Sequence, residues 1–185
     1  MILLVDMDGV VADFEEGHRR MCRNLGFAEE LHGTSRTTWD ILDAVDPTHR
    51  AAILDIWHSP GFFRGLQPIA GANDVMHSWL RGGHEVFLCT APMLNHATCA
   101  QEKIAWVAEH LGPEFAGRVI ITRDKTLVHG DVLIDDRPDI KGVNPKPSWV
   151  HWLFSTSYNA NRAHTHRYNW NIGPVVDARW AWKFT

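Results

Sequence analysis

Short, uninterrupted apolar runs alternate along this chain with stretches whose apolar positions recur every three or four residues. Ile2-Leu3-Leu4-Val5 runs straight into Asp6, the form expected of a strand buried on both faces. Glu85-Val86-Phe87-Leu88-Cys89, ending at Thr90-Ala91-Pro92, has the same form, as does Val132-Leu133-Ile134, ending at Asp135-Asp136. Residues 118–122 and 149–154 read as two further strands. Between them, residues 73–81 carry Val75, Met76, Trp79 and Leu80 at helical spacing and stop at Gly82-Gly83, a C-terminal signal. Residues 98–111 place Ile104, Val107, Ala108 and Leu111 on one face and end at Gly112-Pro113. Strand alternating with helix predicts parallel βαβ units, an α/β fold with a doubly wound parallel sheet.

The stretch 11–65 interrupts that alternation. It reads as helix over 12–25, 38–45 and 47–57, with the loop Gly33-Thr34-Ser35 after the first piece. An insertion of this size directly after the first strand predicts a helical cap over the strand ends. The tail from His164 is aromatic (Tyr168, Trp170, Trp180, Trp182, Phe184) and is expected to pack across the sheet.

Composition narrows the partners. The 185 residues suit one domain with a small inserted subdomain, and 45% apolar with 22% charged content is ordinary for a soluble globular protein. A formal net charge of -4 gives no reason to expect a nucleic-acid polymer or an anionic membrane. Three cysteines with no CxxC spacing fit reduced thiols in a cytosol-like compartment, and the apolar start is too short for a membrane span or a leader, so a cytoplasmic location is expected. Oligomeric state is not legible; a tryptophan-rich tail could serve a homodimer interface as easily as a core.

In an open α/β sheet, ligands bind beyond the carboxyl ends of the strands. That edge receives Asp6 and Asp8 from the first strand, Thr90 from a second and Asp135-Asp136 from another, with Lys125 in the loop before it. Four carboxylates on one edge repel one another and call for a cation. Magnesium, which takes a few carboxylate oxygens together with water and phosphate oxygen, suits the set. The D-x-D spacing then divides the work: Asp6 attacks phosphorus, and Asp8 handles the proton of the leaving oxygen.

Asp6-Met7-Asp8-Gly9-Val10, Thr90, Lys125 and Asp135-Asp136 resemble the four ordered motifs of the haloacid-dehalogenase-like phosphatases. The chain is more closely similar to the 5′(3′)-deoxyribonucleotidases of that superfamily. The carrying segments are Asp6 to Phe14, Pro60-Gly61-Phe62-Phe63, Glu102-Lys103 to Pro113, Thr122-Arg123-Asp124-Lys125-Thr126 and Leu133 to Ile140. The resemblance implies a Rossmann-like catalytic core (1–13 and 66–185) with a helical cap (14–65). It implies Mg²⁺ as cofactor and a pyrimidine (deoxy)nucleoside monophosphate such as dUMP or dTMP as substrate. Asp6 would be the nucleophile and a metal ligand. Asp8 would be the acid/base and would lend the metal its backbone carbonyl, while Asp136 ligates the metal and Asp135 holds a metal-bound water. Thr90, Lys125 and Lys103 would bind phosphate. Phe14, Phe63 and Trp39 would line the base pocket, and Arg137 would sit near the substrate. Two positions depart from the family pattern: Ala91 stands where serine is usual, and Thr38 rather than phenylalanine precedes Trp39.

Other readings compete. The cap could serve a sugar phosphate or another small phosphomonoester, or the fold could bind nucleotide without turning it over. Lys103, beside Glu102 on a helix, is evenly balanced between site and surface. Aromatics in a small cap are by default its own mini-core, which competes with the pocket role of Phe14, Trp39 and Phe63. Glu15-Glu16 and Glu29-Glu30 read as solvated helix faces, His164 and His166 as surface residues, and Cys89 as core.

Overall fold

The computed structural model describes residues 1–27 and 36–174. Six strands form one parallel sheet: β1 (Ile2–Val5), β2 (Glu85–Thr90), β3 (Val119–Ile121), β4 (Val132–Asp135), β5 (Val150–Phe154) and β6 (Arg167–Tyr168), in the order β3-β2-β1-β4-β5-β6. The order reverses at β1, where the chain crosses from building one half of the sheet to the other. That reversal opens a crevice beyond the carboxyl end of β1. β1 is central, and Leu3, Leu4 and Val5 are wholly buried, which explains its unbroken apolar run.

The helices α1 (Phe14–Asn24), α2 (Arg50–His58), α3 (Ala72–Arg81), α4 (Cys99–His110) and α5 (Pro113–Ala116) cover the sheet and the crevice. The first starts two residues later than its apolar pattern suggests. Asp13 is its N-cap, accepting from Glu16 N at 2.9 Å. The helix expected over 38–45 is a single 3-10 turn, Ile41–Asp43, capped by Asp40. The piece expected over 47–57 divides into a 3-10 turn, Pro47–His49, and α2. Asp40 and Asp46 each pull the following backbone into a local turn, and this competes with helix propagation.

The insertion leaves and re-enters the core at adjacent points. Asp13 N donates to Gln67 O at 2.7 Å, and Ile69 N to Val11 O at 2.8 Å. Its apolar residues are continuous with the main core: Ile53, Trp57 and Phe63 share one buried cluster with Leu3, Val5 and Leu88. The described part of the tail packs as expected. Tyr168 forms a sixth strand beside β5, and the Trp170 indole donates to Val10 O at 2.7 Å. Trp180, Trp182, Phe184, the 33–35 loop and Glu29-Glu30 lie outside the described residues.

Candidate active site

Asp6 ends the central strand, its amide donating to Ile134 O at 2.8 Å so that the carboxylate leaves the sheet at the crevice. The chain then turns sharply, with Met7 O accepting from both Val11 N and Ala12 N at 2.9 Å. Gly9 is required here twice over. Its φ is +79°, and a Cβ would fall 2.7 Å from Asp136 Oδ2 and 2.8 Å from the Tyr158 hydroxyl.

Two buried lysines pair with three of the four carboxylates. Lys125 Nζ lies 2.6 Å from Asp6 Oδ1 and 2.6 Å from Asp135 Oδ2. It is held by a 3-10 turn, Lys125–Leu127, whose cap Asp124 accepts from Thr126 N. Lys103, wholly buried, donates to Asp8 Oδ2 at 2.5 Å, Thr90 Oγ1 at 2.8 Å and Ala91 O at 2.8 Å. It is therefore no surface lysine. Its three donors are engaged beneath Asp8 and Thr90, and it does not reach the cavity wall.

Burial raises the carboxyl pKa of Asp6, against the opposing pull of Lys125. Burial also raises Asp8, against Lys103. Asp136 is raised by burial and then by the neighbouring charges of Asp135 and Asp6. Burial alone would depress Lys125, but Asp135 and Asp6 outweigh it and hold the ammonium charged. Burial pushes the Cys89 thiol up to about 12, so this cysteine is an inert core residue.

Asp6, Asp135 and Asp136 can each bring an oxygen within 4.8 Å of the others. Asp8 Oδ1 and Asp136 Oδ1 are both buried without a hydrogen-bond partner among the described residues. A buried carboxylate with an orphaned oxygen, Asp136, beside two carboxylates that share one lysine fits a hard divalent cation, which would take Asp136 Oδ1 as a ligand.

Above this floor lies a cavity of about 330 Å³. Asp6, Asp8, Thr90, Lys125, Asp135, Asp136, Arg137, Phe14, Trp39 and Phe63 all line it. Phe14 is the centre of an aromatic group, 5.3 Å from Trp57, 5.4 Å from Phe62 and 6.2 Å from Phe63 by ring centroids. Trp39, 38% exposed, donates its indole N–H to Asp136 Oδ2 at 3.2 Å, and the Arg137 guanidinium lies 4.6 Å over its ring.

Several wall residues carry no signal in the sequence. Glu15, expected as a solvated residue, faces the cavity and pairs with the buried Arg36 at 2.7 Å. Glu16 does behave as expected, pairing with Arg19 and Arg23 at the surface. Arg36 also stacks 3.5 Å over the Tyr158 ring, and the Tyr158 hydroxyl donates to Asp136 Oδ2. Nothing in the spacing joins Tyr158 to a carboxylate 22 positions earlier. His164 is half-buried rather than a surface residue, its Nε2 lying 3.1 Å from His151 Nδ1.

Solved haloacid-dehalogenase-like hydrolases share this fold. One from Burkholderia xenovorans aligns over 97% of each chain with a TM-score of 0.53 at 16% identity. A hydrolase from Streptococcus pneumoniae aligns over 84% of this chain and 92% of its own with a TM-score of 0.51 at 12% identity. The family described as "5′ nucleotidase, deoxy (Pyrimidine), cytosolic type C protein" matches residues 1–173. The human protein named 5′(3′)-deoxyribonucleotidase, cytosolic type, is 42% identical over 163 residues, 85% of this chain and 81% of its own length. The mouse 5′(3′)-deoxyribonucleotidase, mitochondrial, is 40% identical over 162 residues, 85% of this chain and 74% of its own. The chain belongs to the 5′(3′)-deoxyribonucleotidase family. It is a phosphoric monoester hydrolase.

Proposed function

We propose that this enzyme hydrolyses deoxynucleoside monophosphates, with pyrimidine nucleotides such as dUMP and dTMP as substrates, through an aspartyl-phosphate on Asp6 and with Mg²⁺ as cofactor. The observation that carries the reading is that charged and aromatic side chains line one cavity together. Asp6, Asp8, Asp136 and Lys125 share it with Phe14, Trp57 and Phe63. A phosphate suits the charged set and a flat base the aromatic one.

Asp6, Asp136 and the Asp8 backbone carbonyl are the groups to hold Mg²⁺, with Asp135 supporting them. When bound, the metal offsets the charge of the phosphoryl oxygens and of the carboxylates facing them. Lys125 and the Thr90 hydroxyl orient the phosphoryl group. The Asp6 carboxylate attacks phosphorus, the bond to the nucleoside oxygen breaks, and that oxygen takes the proton from Asp8. Asp8 then accepts a proton from the water that attacks the aspartyl-phosphate, releasing phosphate and restoring Asp6. The raised pKa of Asp8 suits it to carry that proton at the start of the cycle. Lys103 fixes the Asp8 carboxylate in place throughout. The thiols of Cys22, Cys89 and Cys99 are buried and form no disulfide among the described residues, which supports a cytoplasmic location. No helix among the described residues is long and apolar enough to cross a membrane.

The test is phosphate release from dUMP, dTMP, ribonucleotides and sugar phosphates, each with Mg²⁺ and with chelator. Deoxypyrimidine nucleotides are expected to turn over fastest, chelator to stop the reaction, and Asp6→Asn to abolish it with the fold intact. Equal turnover of sugar phosphates would remove the base from the reading, and full activity of folded Asp6→Asn would remove the nucleophile.

A further inference from the structure

Asp136 holds its carboxylate in a way that its own motif does not account for. Oδ2 accepts two hydrogen bonds, one from the Tyr158 hydroxyl and one from the Trp39 indole at 3.2 Å. Oδ1 of the same carboxylate is buried with no hydrogen-bond partner among the described residues. The backbone carbonyl of Asp136 accepts from Asn159 Nδ2 at 2.8 Å, so the residue is gripped at both ends. The Tyr158 ring is in turn fixed by the Arg36 guanidinium 3.5 Å above it. The 3-10 turn that presents it, Ser157–Asn159, is closed by Asn159 Oδ1 accepting from Thr156 N at 3.1 Å.

Two donors on one oxygen leave the other oxygen with a single orientation. We infer that Tyr158 from the core and Trp39 from the cap are positioning residues for Asp136, saturating Oδ2 so that Oδ1 is presented to a divalent cation beside Asp6 and Asp135. The inference rests on the metal-dependent reading above. Trp39 thereby acquires a second role. It faces the substrate cavity from the cap and is also bonded to a carboxylate of the cation site, so the two sites share a residue. Neither side chain touches the reacting atoms, and their effect is exerted through the carboxylate.

The opposing possibility is that Tyr158 and Trp39 are wall residues whose bonds to Asp136 are incidental. The two differ in what happens to cation affinity. Outer partners of a metal ligand typically change affinity by roughly 10- to 100-fold when removed. Tyr158→Phe deletes only the hydroxyl, and Trp39→Phe, at a part-exposed position, deletes only the second donor while keeping a ring. Mn²⁺ serves as the probe, its binding followed by electron paramagnetic resonance, with Mg²⁺ binding followed by calorimetry. Tyr158→Phe is expected to weaken Mn²⁺ binding at least tenfold and Trp39→Phe severalfold. The half-saturating Mg²⁺ for turnover should rise in step, and excess Mg²⁺ should recover most of kcat.

Wild-type cation affinity in folded Tyr158→Phe overturns the inference, whatever happens to kcat. If that variant does not fold, unchanged affinity in Trp39→Phe overturns it instead. Failure of the wild-type protein to bind either cation is a separate result, which removes the metal-dependent reading itself.

Discussion

At the scale of single residues, the site is a set of buried charges that tolerate one another only in fixed pairs. Lys103 shows this most sharply. All three of its donors are used, on Asp8, Thr90 and the Ala91 carbonyl, and no part of it is exposed. Removing one partner of a buried pair costs about 3–5 kcal/mol because the other charge is stranded. Asp8 is partly exposed and can take up a proton, so Lys103→Met is expected to cost less, roughly 2 kcal/mol, measured by urea denaturation. The same variant should lose most of its turnover, since Asp8 and Thr90 are both released. A variant as stable and active as wild type would mean that the three bonds contribute nothing net. Replacing Ala91 by serine tests the departure from the family pattern in the opposite direction. One added hydrogen bond to substrate is worth about 1 kcal/mol, so KM should fall about fivefold with kcat little changed.

At the scale of elements, Glu102 on α4 joins the core to the returning end of the insertion. Its carboxylate accepts from Gly61 N at 2.8 Å, Phe63 N at 3.1 Å and Thr98 Oγ1 at 2.6 Å, and so fixes the turn that delivers Phe63 to the cavity. Burial opposes the charge, but the Gly61 and Thr98 bonds outweigh it and hold the carboxyl below its ordinary 4.5. A depressed folded-state pKa contributes stability above the unfolded value and loses it as pH falls through the folded one. Glu102→Gln should therefore be less stable than wild type by about 2 kcal/mol at pH 7, with the gap narrowing below pH 4.5. A gap independent of pH would assign the loss to packing. This element also marks what could be read in advance. Strands β1, β2 and β4 were legible because each is an apolar run ending in a polar site residue, and parallel strands in a doubly wound sheet deliver such ends to one edge. Glu102 and Tyr158 were not, because their partners are backbone amides or carboxylates far along the chain, and no periodicity encodes those meetings. The segment 38–45 misled for a local reason: its apolar spacing is helical, but Asp40 caps a single turn and stops it. Residue Glu15 misled because its helix face turns toward Arg36 instead of solvent.

At the scale of the whole molecule, the sheet places Asp6, Asp135 and Asp136 at the reversal of strand order, where no strand continues to cover them. The fold thus holds three mutually repelling carboxylates in a buried crevice, with Lys125 paired to Asp6 and Asp135, an arrangement that opposes folding unless a cation joins it. Binding of a ligand to the folded state alone stabilises by about 2.7 kcal/mol at a hundred times its Kd. For a domain of this size that corresponds to a rise in Tm of about 5–10 °C. Mg²⁺ should therefore raise the Tm of the wild-type protein by this order, and chelator should reverse it. Asp136→Asn removes a carboxyl whose pKa burial and the Asp135 and Asp6 charges raise to about 8, and one cation ligand with it, while keeping one amide oxygen to accept from Tyr158 and Trp39. In metal-free buffer at pH 7.5 it should melt above wild type, and added Mg²⁺ should no longer raise its Tm. A parallel rise in both proteins would place the cation's effect elsewhere on the molecule. The opposite signs expected without and with Mg²⁺ separate a carboxylate kept for binding from one kept for packing, because a packing residue would lose stability in both buffers.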